Sequence, residues 1–237
     1  MTLDKQAQLI RYQDCPSTPW KNGGGSTKQL LISPATADLT EFNYRISIAS
    51  ISSNGPFSLF NGVDRQLVIL EGDGVELSID SHEGEKQINN LGGEERILGD
   101  TDTTEYKRLT PINSPFCFAG ETSITSKLLS SNVIDFNVMT KRGAYQAQIE
   151  KFTVPGTFID STTKSNNGVV ISNKHHKNNH VAVRFILCLN TAEWWGNGKI
   201  IQLEPYDLLI CSNSEPLKFE TNMLSSFIKI TITTVGP

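Results

Sequence analysis

Histidine is scarce in this sequence: four among 237 residues, His82, His175, His176 and His180. Imidazole is the commonest metal ligand and the usual partner of a nucleophilic serine. Four of them, confined to two polar stretches, assemble no Ser-His-Asp arrangement and argue against serine-hydrolase chemistry. His176 and His180 stand four apart in "HHKNNH", as zinc ligands on helices do. The surrounding Asn- and Lys-rich segment has no helical periodicity and no acidic partner, so it reads as a solvated loop. Cysteine is equally sparse: Cys15, Cys117, Cys188 and Cys211 lie far apart and form no C-x-x-C pair. That usage fits reduced thiols in a cytoplasmic protein, with Cys188 and Cys211 inside apolar runs. Clustered positive charge is missing too. A net charge of −4 and a pI near 5.6 argue against nucleic acid as the partner. No like-charge block forms a tail. The opening "MTLDKQAQLIRYQ" has no apolar signal core, and no run of about 18 apolar residues exists to enter a membrane.

What the sequence has in abundance is period-two alternation. In "YRISIAS", Tyr44, Ile46 and Ile48 share one face while Arg45 and Ser47 share the other. "GVELSID" sets Val75, Leu77 and Ile79 against Glu76, Ser78 and Asp80. "VIDFNVM" sets Ile134, Phe136 and Val138 against Asp135, Asn137 and Met139, and "FIKITIT" sets three isoleucines against Lys229 and Thr231. Turn clusters such as "SSNGP", "EGDG" and "GNGK" separate these runs. Many short strands with such turns indicate antiparallel sandwiches or barrels, an all-β fold. Residues 81–107 and 160–180 are polar and read as exposed loops. "TKRGA" follows a strand and precedes new alternation, placing a boundary near Arg142, with domains at 1–142 and 143–237.

The stretch "PWKNGGGSTKQL" carries three consecutive glycines, Gly23 to Gly25. It is not a phosphate-binding P-loop, because no lysine follows Gly25, and neither flank suits a dinucleotide-binding unit. Two readings stay open. The glycines form a tight turn or bulge into a strand, or they let the backbone approach a ligand, with Lys21, Asn22 and Thr27 as polar contacts. The polar strand faces of Arg45 with Ser47, and of Asp135 with Asn137, either meet solvent or line a barrel lumen.

"PWKNGGGST", "YRISIASISSNGPFSLFNGVDR", "VILEG", "PFCFAG" and "DFNVMTKRG" occur in the order seen in the HutD/Ves family, which the chain resembles over residues 16 to 143. The resemblance implies a bicupin: two cupin-like, jelly-roll β-barrels or sandwiches in one chain. It also implies regulatory or ligand-sensing work linked to histidine utilisation. Metal-dependent cupins carry histidines and a glutamate in a first motif, whereas "FSLFNGVDRQLVILEG" has none of those histidines and offers Ser58, Asp64 and Arg65 in their place. No metal and no other cofactor is therefore expected. Lys21, Asn22, Thr27, Arg45, Arg65, Asp135 and Asn137 are expected to converge on one pocket, with Ser47 and Ser58 beside them. A planar guanidinium grips a carboxylate with two parallel hydrogen bonds, so a small anionic metabolite is the expected ligand.

The leading function is thus a non-enzymatic binding protein. The alternative is a metal-independent enzyme such as an isomerase, with Asp64 or Asp135 as its base, and a third class is a protein-binding scaffold. A homodimer is compatible with the sequence. Neither nucleic acid nor a membrane is an expected partner.

Overall fold

The computed structural model describes residues 7–81, 103–160, 182–196, 198–211, 217–221 and 224–236. The alternating runs become strands, and the Gly- and Asn-rich clusters between them become turns. In chain order the first strands are β1 (Gln8–Ile10), β2 (Ser17–Pro19), β3 (Gly25–Ser33), β4 (Tyr44–Ile51), β5 (Gly55–Pro56), β6 (Val63–Glu71) and β7 (Val75–Ser81). There follow β8 (Thr103–Leu109), β9 (Phe116–Ala119), β10 (Ser123–Leu128), β11 (Val133–Lys141), β12 (Tyr145–Pro155) and β13 (Phe158–Asp160). The last are β14 (Ala182–Cys188), β15 (Ala192–Gly196), β16 (Lys199–Leu203), β17 (Leu208–Cys211), β18 (Leu217–Glu220) and β19 (Leu224–Thr234). One 3-10 turn, Tyr12–Asp14, is the sole helical element among the described residues. None of their helices is long and apolar enough to cross a membrane.

The strands form four antiparallel sheets: β5-β10-β7-β8, β2-β3-β4-β11-β6-β9, β1-β17-β14-β19-β12 and β13-β18-β15-β16. The six- and five-stranded sheets pack face to face. Ile46, Ile48, Phe136 and Val138 of one meet Phe185, Leu187, Ile228 and Ile230 of the other in a single core. The opposite face of the six-stranded sheet, carrying Leu67, Ile69 and Val133, packs on Val75, Leu77, Leu109 and Ile124 of the first four-stranded sheet. A third core, with Phe158, Ile186, Trp194, Phe219 and Phe227, fills the space between the five-stranded sheet and the last one. Both faces of the six-stranded sheet are therefore covered. Arg45, Ser47, Arg65, Asp135 and Asn137 are accordingly buried, while polar residues nearer its ends, such as Asp64, stay exposed.

One expectation changes, and one burial is new. Residues 103–107, read as loop, belong to β8, an edge strand whose exposed polar side chains mimic a loop composition. Lys229, on the polar side of "FIKITIT", is buried, because that strand too lies between two cores. Ser81 and Asp160 end β7 and β13, and residues 82–102 and 161–180 of the expected loops, with all four histidines, lie outside the described residues.

The chain enters through its far sheet. β1 pairs with β17, and the Arg11 guanidinium donates to the buried Asp207 carboxylate at 2.7 Å. The Tyr12 and Glu204 amides donate to the same carboxylate at 2.9 and 3.0 Å. Nearby, Tyr206 takes a left-handed φ of 72° at the corner between β16 and β17, and its hydroxyl hydrogen-bonds Glu71 at the end of β6.

Candidate functional site

Strand register sorts the covered polar residues into rungs on one face of the six-stranded sheet. Arg45 of β4 stands opposite Met139 of β11, which stands opposite Arg65 of β6. On the next rung Gln29, Ser47, Asn137 and Leu67 lie side by side, and on the one after it Thr27, Ala49, Asp135 and Ile69. These residues alternate in phase with Leu67, Ile69 and Val133, so they share the face that packs on the four-stranded sheet. A second apolar cluster, Phe42, Val63 and Met139 with Phe60 against it, closes the arginine end. Arg45, Arg65, Asp135 and Asn137 are 8%, 6%, 5% and 6% exposed, which makes this a buried polar band between apolar ends.

Each arginine is held but incompletely used. Arg45 Nε donates to Gln29 Oε1 at 2.9 Å. Arg65 donates from Nη1 to the Ser58 carbonyl at 3.0 Å, and its guanidinium lies over the rings of Phe118, Phe60 and Phe57 at 4.7, 5.5 and 5.6 Å. Aromatic faces stabilise a desolvated cation without neutralising it. Among the described residues neither arginine has a carboxylate within ion-pair distance, and Arg65 Nε, Asp135 Oδ1 and Asn137 Oδ1 are buried without a hydrogen-bond partner. Buried polar atoms are nearly always paired, so three unpaired on one face set this band apart from an ordinary core.

The electrostatics agree with the geometry. Burial lowers the Arg65 guanidinium to about 10, with Arg45 adding to the effect and Asp135 opposing it. Arg45 is also lowered by burial. Asp135 is pushed up to about 7 by burial, against the pull of Arg65 and of the Ala49 amide. A carboxyl and two guanidinium groups therefore sense one another across the band.

The structure brings Thr27, Arg45, Ser47, Arg65, Asp135 and Asn137 to this face. It places Lys21 and Asn22 past the Asp135 end of the band, away from the arginines. Both are exposed at the glycine turn, beside the Gly25–Ile51 rung. Six residues of β4 separate that rung from Arg45, about 20 Å at the rise of a strand. The Asn22 side chain accepts from the Gly24 amide at 3.0 Å, and Thr27 accepts from the Trp20 indole at 2.8 Å. The glycines have structural reasons: Gly23 is left-handed at φ 72°, and a Cβ on Gly25 would sit 2.4 Å from the Ser50 carbonyl. Ser58 is exposed and contributes its carbonyl to Arg65. Asp64 is on the other side of β6, exposed and paired with Arg142 at 2.6 Å, so it is no base for this band. Gln29 and the three phenylalanines around Arg65 went unread in the sequence. Gln29 stands two residues after Thr27, ahead of the bulge between Gln29 and Leu31, so plain alternation with Thr27 could have placed it on this face.

No group of three or more His, Cys, Asp or Glu side chains is placed to hold a metal ion among the described residues. The band offers one carboxylate beside two cations, a poor donor set for a divalent ion.

A family model described as HutD matches residues 12–227. A 21.2 kDa protein in the hutC 3′ region of Pseudomonas putida is 33% identical over 147 residues, 62% of this chain and 65% of that protein. Protein Ves of Cronobacter sakazakii is 29% identical over 192 residues, 81% of this chain and 88% of its own. Among solved structures, HutD from Pseudomonas fluorescens superimposes with a TM-score of 0.61 at 23% identity, covering 97% of this chain and all of that one, 100%.

Proposed function

The chain belongs to the HutD family, and from that premise we propose that it binds a small carboxylate without a metal, in the service of amino-acid, and specifically histidine, utilisation. One observation carries this reading: two arginines buried on one rung, with no carboxylate at ion-pair distance among the described residues. An unpaired buried cation is costly, and a ligand carboxylate offsets that cost with charge-assisted hydrogen bonds. The fold is all-β and cupin-like. Two cupin-like halves meeting near Arg142 are part of the proposal, supported by strands β2–β11 making two sheets and β12–β19, with β1, the other two.

Calorimetric titration with small carboxylates tests it. Arg45→Ala and Arg65→Ala should each weaken binding about tenfold or more, the value of one charge-assisted hydrogen bond, while circular dichroism stays unchanged. Both variants binding like the wild type would refute it. The raised Asp135 carboxyl favours a second reading, a metal-independent isomerase with Asp135 as base, since a base works best when it titrates near the operating pH. Turnover of a bound carboxylate, lost in Asp135→Asn, would establish the enzyme.

A further inference from the structure

The two buried oxygens without partners stand away from the arginines, and each is an acceptor. Asn137 lies one rung from Arg45 and Arg65, and Asp135 lies two rungs away. At the rise of a strand these steps are about 7 and about 13 Å along the sheet. On those rungs Leu67 and Ile69 have no side-chain donor to give, the Ser47 hydroxyl beside Asn137 and the Ala49 amide at Asp135 leave these two oxygens unpaired, and the Arg45 Nε and Arg65 Nη1 donors are committed to Gln29 and Ser58. A buried acceptor without a donor costs its full desolvation, so an occupant that relieves the arginines alone leaves half of the band unsatisfied.

Resting on the arginines as a carboxylate site, we propose that the ligand is bifunctional: a monocarboxylate whose far end carries an N–H or O–H donor, received by Asn137 and Asp135. The charge count gives the same answer. Above about pH 7, where Asp135 is ionised and where the titrations below are run, two guanidinium groups and one carboxylate leave the band one positive charge, which a single ligand carboxylate cancels. A second carboxylate at the far end would face Asp135 and repel it. A neutral apolar tail would leave both oxygens unpaired. A hydroxyl, amide or ring N–H does neither.

Three acids of one chain length separate the cases: valerate, δ-hydroxyvalerate and glutarate, each titrated calorimetrically into the wild-type protein. We expect δ-hydroxyvalerate to bind about tenfold tighter than valerate, the worth of one hydrogen bond to a charged or buried acceptor, and glutarate no tighter than valerate. The advantage should disappear in Asp135→Leu or Asn137→Leu and persist in Asp135→Asn, which keeps a carbonyl acceptor. If a leucine variant does not fold, the wild-type ranking alone decides. Valerate binding as tightly as δ-hydroxyvalerate, or glutarate binding best, overturns the bifunctional ligand and leaves the carboxylate reading standing. If none of the three binds, both fall.

Discussion

Replacing Asp135 with asparagine should stabilise the protein, and only above a certain pH. The side chain is buried, its Oδ1 has no partner among the described residues, and its carboxyl is raised from the ordinary 3.8 to about 7. The folded protein therefore holds this proton more tightly than the unfolded chain. Between about pH 4 and pH 7 the folded state binds more protons, so this group makes stability fall as pH rises, and the fall levels off above 7. The gap between the two values corresponds to about 4 kcal/mol for a complete transition. Arg65 titrates near 10 and lies outside that window. Asparagine has the same shape and no charge to desolvate. Urea denaturation at a series of pH values should show the two proteins alike near pH 4 and Asp135→Asn ahead by up to about 4 kcal/mol at pH 8. Parallel curves from pH 4 to 8, or a variant weaker than wild type at pH 8, would refute the reasoning, because either result requires a compensated carboxylate. A gain in stability bought with a loss of ligand affinity is the usual signature of a functional site.

Two further perturbations probe the frame around the band. Gly25→Ala should cost about 3 kcal/mol, because its Cβ would meet the Ser50 carbonyl, whereas Gly23→Ala has open space and should cost about 1 kcal/mol for its left-handed backbone alone. Equal losses in chemical denaturation would contradict that assignment. Arg11→Ala removes the cation from Asp207, whose side chain is 2% exposed. Arg11 itself is partly open to solvent, so the expected loss is about 2 kcal/mol, less than for a fully enclosed pair, and Asp207→Asn should be of similar size. Unchanged urea midpoints in both would make the ion pair incidental.

The faces of the strands were legible in the sequence, and their surroundings were not. Alternation separates Arg45 and Ser47 from Tyr44, Ile46 and Ile48 without difficulty. It cannot say that both faces are covered, since a polar face against a second sheet has the same pattern as one against water. Lys229 gives the same lesson in β19, where a residue that looks like surface is buried. Lys21 and Asn22 were grouped with the arginines because they flank glycines that could let the backbone approach a ligand. Distance along the strand, visible only once register is known, puts them at the other end of the sheet. β8 was hidden because an exposed edge strand has little need of apolar residues on either side.

The pairing of β1 with β17 sets the order of synthesis against the order of assembly. β1 leaves the ribosome before every other described strand and must wait for β17, with some two hundred residues between Leu9 and Leu209 made in the meantime. During that wait Arg11 has no Asp207 to meet, and Gln8–Ile10 hang from sheets that can already close around the polar band. Cleaving the chain at Arg142 would separate these partners for good. The first fragment would carry a strand cut from its partner, and the second would expose the edge of β17 that this strand covers.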